Sequence, residues 1–231
     1  TSHKAYEEKF RNFTNILSQL EEKFNRNSDV QGNREEIMEK LNIIESMLAE
    51  KQHVVLQMNT TIESGEKLYN STSPEGREGI RTQLNDIQQA VESLFDRVAK
   101  LERELQSKLT RWTGYEESSA TFSRWLAEMQ VQLKGDLILK ATLDEKKAQL
   151  QTYRTLLQDI RGQKPVLDDL IEKSSALPEK SDKISHFVKN AAQKHKELLD
   201  KAQTCVEKYE AIVGDHQQYT KAVMESSEWL T

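Results

Sequence analysis

A chain of 231 residues with 31 % charged and 36 % apolar residues, eight glycines and three prolines suits long hydrated helices better than turn-rich sheets. Its formal charge of -5 is spread evenly, 16 Lys/Arg against 19 Asp/Glu in residues 1–114 and 17 against 19 in residues 115–231. That balance excludes the basic face of a nucleic-acid binder and the Lys/Arg-rich polar face of a helix lying on an anionic membrane.

The first expected helix, near 3–27, carries Phe13, Ile16/Leu17, Leu20 and Phe24 on one face. The second, near 34–69, starts at Asn33, whose Glu36 three residues on completes a capping-box pattern. The third, near 74–134, opens on Ser73-Pro74, an N-cap followed by proline at the first helical position. Its stripe of Ile80, Leu84, Ile87, Val91, Leu94, Val98, Leu101 and Leu105 alternates four and three apart, a heptad seam. Leu109, Trp112 and Tyr115 carry an apolar face onward, and the lone Gly114 costs only about 1 kcal/mol relative to alanine, so this helix is expected to run on unbroken. The fourth, near 143–176, has a second capping-box pattern in Thr142 and Glu145. Its Gly162 and Pro165 predict a kink, because proline lacks the N–H that the Arg161 carbonyl would accept and clashes with that carbonyl. The fifth, near 180–231, starts at Ser181 or just before Pro178 and carries Ile184, Val188, Ala191, His195, Leu198, Ala202, Cys205 and Tyr209 in heptad phase.

These elements repeat. "YEEKFRNFTNILSQL" at Tyr6 matches "YEESSATFSRWLAEM" at Tyr115, setting Phe13 with Phe122, Ile16 with Trp125, Leu41 with Leu150 and Leu68 with Leu177. Beyond Leu68 the register changes by five, pairing Ile80 with Ile184, Leu101 with Cys205 and Tyr115 with Tyr219. Insertions are absorbed by loops, so the change marks a loop between Leu68 and Ile80. The divisions are then 1–112, 113–216 and 217–231, two full units and the start of a third, whose Trp229 answers Trp125.

An aromatic followed by Trp-Leu in "FSRWLAEMQ", two further heptad helices and a helical join between units resemble the spectrin-repeat superfamily, over the whole chain. Ile16 departs from the pattern where a tryptophan is expected. The resemblance implies an all-α fold of two tandem left-handed three-helix bundles, the middle helix antiparallel to the others, joined by a continuous helix into an elongated rod. At about 1.5 Å per residue such a rod would be roughly 110 Å long. The polar character is more similar to nesprins, dystrophin relatives or spectraplakins than to spectrin, with nesprins preferred.

Chemistry-bearing residues are few. His3, His53, His186, His195 and His216 lack a zinc-binding spacing; His195 falls at a stripe position, aligned with Val91, and reads as a packing residue. Cys205, aligned with Leu101, reads as a small apolar filler. It cannot form an internal disulfide, which points to a reducing compartment. Asp168-Asp169 and Glu116-Glu117 are adjacent carboxylates, but neighbours on a helix point about 100° apart, and they read as solvated. Three glycosylation-like triplets, at Asn12, Asn59 and Asn70, read as chance matches. No apolar run approaches the roughly 20 residues of a membrane span, and no signal-like start is present. No catalytic, cofactor or metal residue is assigned.

The resemblance implies a structural spacer in a cytoskeletal linker, giving length, elasticity and force transmission, and possible linkage of nucleus or membrane to actin through anchors elsewhere. The alternative is a module that dimerises or docks actin or signalling partners through its surface. The expected partners are cytoskeletal or scaffold proteins, without nucleic acid or direct membrane contact, for a monomeric cytoplasmic segment on the cytoskeleton, with the cytoplasmic face of the outer nuclear membrane as one location.

Overall fold

A computed structural model describes residues 1–231, and its secondary structure is helical throughout, with no strand. The helices are α1 (Ser2–Arg26), α2 (Arg34–Ala49), α3 (Lys51–Glu66), α4 (Pro74–Gln132), α5 (Leu143–Gly162), α6 (Lys164–Ser175) and α7 (Asp182–Leu230), with one short 3-10 turn at Tyr69–Ser71. Two compact units divide the chain, Thr1–Trp112 and Thr113–Thr231. The division falls inside α4, a helix of 59 residues.

In the first unit α1 and α4 run the same way: the Tyr6 hydroxyl donates to Gln83 at 3.0 Å, and, fifteen residues along α1, Glu21 meets Arg97 at 2.7 Å. The α2–α3 limb runs back between them, so that Gly65 lies opposite Tyr6 while Gln57 and Thr61 lie beside Phe13. At Gly65 the three helices lie close together. A Cβ there would sit 3.0 Å from both Leu84 and Tyr6 side-chain atoms, so glycine allows the approach without those side chains shifting. The α4 stripe from Ile80 to Leu105 is buried along its length, as are Phe13, Leu17, Leu20 and Phe24 of α1 and Ile37, Leu41 and Ile44 of α2.

The second unit repeats the plan with residues 113–132 of α4, α5–α6 and α7. Here α5 and α7 are antiparallel, pairing Lys146 with His216, Arg154 with Glu210 and Ile160 with His195. Phe122, Leu126 and Met129 of α4, with Leu133 just after it, are buried, as are Leu150, Leu157 and Ile160 of α5 and Val188, Leu198, Ala202 and Tyr209 of α7. Burial of these heptad seams, at about 25 cal/mol per Å² of apolar surface, is what holds helices of modest propensity together.

Local signals behave as their chemistry dictates. Both capping boxes close: the Asn33 and Thr142 side chains each accept the N–H of the glutamate three residues on, and Glu36 and Glu145 return the bond to the cap N–H. Ser73 Oγ accepts from Gly76 N–H at 3.2 Å, and Ser181 Oγ accepts from Lys183 N–H. The long α4 helix passes Gly114 without a break.

The middle limbs correct the expectation of single helices over 34–69 and 143–176. Each is interrupted, at Glu50 in the first unit and at Gln163 in the second. The second interruption falls where Gly162 and Pro165 lead a kink to be expected, with Pro165 in the first turn of α6, where its missing N–H costs least. Glu50, however, has neither glycine nor proline within eight residues on either side. Heptad phase supplies a cause common to both. Ile44 and Val54 are buried ten positions apart, as are Ile160 and Leu170, and ten is one heptad plus three. A three-residue discontinuity overwinds a helix locally, and both sites carry an i to i−3 bond beside the regular i to i−4 one: Glu50 N–H is shared between the Met47 carbonyl at 3.1 Å and the Ser46 carbonyl at 3.3 Å, and Gln163 N–H between the Ile160 carbonyl at 3.2 Å and the Asp159 carbonyl at 3.1 Å. The overwound turn brings Met47 and Val54 inward and leaves the charged Lys51 exposed.

Pro165→Ala should therefore leave the interruption at Gln163 in place and change unfolding free energy by less than about 1 kcal/mol. Were proline the sole cause, removing it would repair the helix and stabilise the unit by up to about 3 kcal/mol. Urea denaturation of the variant separates the two.

Candidate functional site

Two polar side chains other than the aromatics are buried: Thr61 of the first unit, whose hydroxyl turns back to the Gln57 carbonyl of its own helix, and His195 of the second. His195 of α7 is 3 % exposed. Its ring lies 6.4 Å from Phe122 and 6.1 Å from Trp125, and its Nε2 is 2.8 Å from the Ile160 carbonyl oxygen. A carbonyl only accepts, so Nε2 carries the proton. The same carbonyl accepts the Gln163 N–H at 3.2 Å, at the interruption of the middle limb. His195 thus ties α7 to the interrupted part of the middle limb, a role beyond the packing expected of a stripe residue.

A second cluster fixes the connection between α4 and α5. Tyr153 of α5 accepts the Ile138 N–H at 3.2 Å, and Tyr209 of α7 donates to the Ile138 carbonyl. The two rings are 5.4 Å apart at 50°. One exposed-loop residue is therefore held at both of its backbone polar groups by two buried tyrosines. Burial pushes the Tyr209 hydroxyl above its ordinary value, Tyr153 adds to this, and the backbone hydrogen bond to Lys140 opposes it. Burial likewise raises Tyr6 and Tyr115.

A raised tyrosine pKa means that the fold favours the neutral phenol. Its contribution to stability is complete below the unfolded value of 10.0 and is lost as pH rises through the higher folded value. Denaturation midpoints followed from about pH 8 to about pH 11 should fall steeply above about pH 10, and Tyr209→Phe should flatten that fall. An unchanged alkaline slope in the variant would show that Tyr209 does not carry the effect.

The remaining residues with reactive groups do not converge. Cys205 is buried; burial pushes its thiol up, with Lys201 and Lys208 acting the other way. His3, His53 and His186 are exposed and far apart in sequence, while His216 accepts from the Lys146 ammonium at 3.1 Å through Nδ1. Asp168 pairs with Lys164, and Asp169 with Lys173 at 2.9 Å, one helical turn away in each case. These exposed pairs are worth little individually. Glu116 and Glu117 face solvent. No group of three or more His, Cys, Asp or Glu side chains is placed to hold a metal ion, and no helix is long and apolar enough to cross a membrane. What the surface offers is helix faces and the grooves between them.

Comparison with known proteins agrees with that picture. No family model matches the chain. Over 230 residues it is 36 % identical to Muscle-specific protein 300 kDa of Drosophila melanogaster, covering 99 % of this chain and 2 % of the relative. It is 24 % identical over 222 residues to human nesprin-3, covering 90 % of this chain and 23 % of that protein. Mouse microtubule-actin cross-linking factor 1 matches at 23 % over 203 residues, 82 % of this chain and 3 % of its own length. The chain thus spans less than a quarter of each of these relatives.

Proposed function

On the premise that the chain is a segment of the spectrin-repeat superfamily, we propose that it is a spacer within a much longer cytoskeletal linker, setting length and passing load along its helices. The supporting observation is α4, whose 59 residues belong to both units without a break. A join made of helix cannot go slack as a Gly/Ser-rich linker does, and it favours neighbour-to-neighbour coupling along a repeat array. On this reading residues 1–112 and 113–216 are two repeats and 217–231 begin the first helix of another. Tyr219, Val223, Met224, Trp229 and Leu230 are exposed there, an apolar set that a following repeat would cover.

Similarity to cytoskeletal linkers supports a structural, non-enzymatic role. Within that role, elasticity, linkage of the nucleus to actin and a cytoplasmic location at the outer nuclear membrane are the finer parts of the proposal. The printed name of one relative speaks of cross-linking microtubules and actin; attachment of this kind would fall to other parts of a parent chain.

Small-angle X-ray scattering over a concentration series tests the spacer. A rod of about 110 Å at 1.5 Å per helical residue has a radius of gyration of roughly 30 Å, against about 17 Å for a compact chain of this size. A constant value near the larger figure is expected. The smaller figure would end the spacer reading, and growth with concentration would favour self-association.

A further inference from the structure

We infer that a niche between α1 and α3 of the first unit receives an aromatic side chain of a partner protein, a ring whose neighbouring carboxylate meets Lys9. This goes beyond the spacer reading and does not depend on it.

The niche exists because the two units differ at one place. A register of 109 sets Ile16, Gln57 and Thr61 against Trp125, Val166 and Leu170. Burial follows the same register, in Phe13 with Phe122, Met58 with Leu167 and Thr61 with Leu170. In the second unit this side of the bundle is bridged: Lys173 of α6 donates to Ser118 of α4 at 2.8 Å and pairs with Asp169 at 2.9 Å. Trp125 stands one heptad beyond Ser118 and so on the same side, with its ring 5.5 Å from Phe122 and 6.1 Å from His195. In the first unit Ile16 and Thr61 are smaller than their counterparts, and a cavity of about 200 Å³ opens between Phe13 and Ile16 on one wall and Gln57, Thr60 and Thr61 on the other. Phe13 and Thr61 are buried and close its inner end, while Ile16 and Gln57 are only half-buried and form its mouth.

Size and polarity then select the occupant. A cavity of about 150 Å³ among apolar side chains takes up benzene, so this one has room for a single ring. The Thr60 and Thr61 hydroxyls already donate to the Leu56 and Gln57 carbonyls of their own helix, and so ask for no polar partner. Charge at the mouth chooses what stands beside the ring. Where the second unit has Ser118, Asp169 and Lys173, the first has Lys9, Thr60 and Ser64, which moves the cation onto α1 and removes the acid that held it. Lys9 is exposed and makes no ion pair within the chain. It also lines an adjoining cavity of about 400 Å³, whose other charged residues are Glu63 and Lys67, so cations outnumber acids along this side. That second cavity shares Lys9 and Thr60 with the niche and gives the residues flanking the ring a surface to lie on. A tryptophan, tyrosine or phenylalanine next to an aspartate or glutamate in a partner chain supplies both ring and charge.

The test uses the full chain and a short capped peptide with one central tryptophan between aspartates, followed through amide shifts in two-dimensional NMR. Binding should be saturable and 1:1, and should move the amides of Asn12, Phe13 and Thr61. Alanine in place of the peptide tryptophan should abolish it. Ile16→Trp puts the chain's own ring into the niche and should also abolish it. Lys9→Glu changes an exposed, unpaired side chain, so the fold should be kept by circular dichroism. This variant should bind the aspartate peptide at least about threefold more weakly and an asparagine-flanked peptide as the native chain does. The proposal is overturned if the peptide leaves these amides unmoved, if Ile16→Trp folds and still binds, or if Lys9→Glu weakens neither peptide or both alike. Tighter binding of indole-3-acetate than of the peptide would give the niche to a small aromatic acid, and would overturn it too.

Discussion

Gly114→Pro is expected to cost at least about 3 kcal/mol and to split a single unfolding transition into two. Residue 114 lies inside α4, and proline there removes one ladder hydrogen bond and clashes with the Thr110 carbonyl one turn earlier. Gly114→Ala is the control. A Cβ at this position meets no atom within 4 Å, so alanine should stabilise by roughly 0.5–1 kcal/mol through lower unfolded-state entropy. Thermal unfolding followed at 222 nm reads both variants. If proline at 114 leaves the melting curve unchanged, the helix does not run on through this residue, and the coupling argument falls with it.

His195→Ala is the second large effect, about 2–4 kcal/mol confined to the second unit. The substitution leaves a hole beside Phe122 and Trp125 and removes the 2.8 Å hydrogen bond to the Ile160 carbonyl. His195→Val separates the two losses. Valine, the residue at the aligned position 91, restores apolar volume but not the donor, and so should fall between native and alanine. Trp125 reports directly in urea denaturation followed by tryptophan fluorescence. Equal stability of the valine variant and the native protein would mean that the hydrogen bond contributes nothing and that His195 only fills space.

Much of the architecture was legible because its determinants are local. Capping boxes at Asn33 and Thr142, the Ser73-Pro74 start and the α4 seam each depend on residues within a turn or two of one another, and the repeat register tied the two units together. What escaped was set by contacts distant in sequence. The break at Glu50 has no glycine or proline to announce it; only the spacing of Ile44, Met47 and Val54 carries it, and Leu48 and Val55 offer an equally apolar alternative until the neighbouring helices are in place. The same phase argument turns the Gly162/Pro165 kink from a proline effect into one instance of a shared design.

The candidate sites divide in the same way. His195 was visible as a stripe residue, but its acceptor is a backbone carbonyl 35 residues away, which side-chain patterns do not reveal. Tyr209 was visible as a stripe residue and Tyr153 carried no signal of its own; their common partner Ile138 sits in a loop without periodicity.

The overwound turns at Glu50 and Gln163 also change where each bundle frays. A helix normally loosens at its tips, where the terminal groups lack partners. A middle limb made of two shorter helices has four tips, two of them halfway along. Amides following Glu50 and Gln163 should therefore exchange with deuterium sooner than those on the adjacent uninterrupted stretches of α4 and α7, so that solvent enters these bundles at the waist before the middle limbs come apart from their ends.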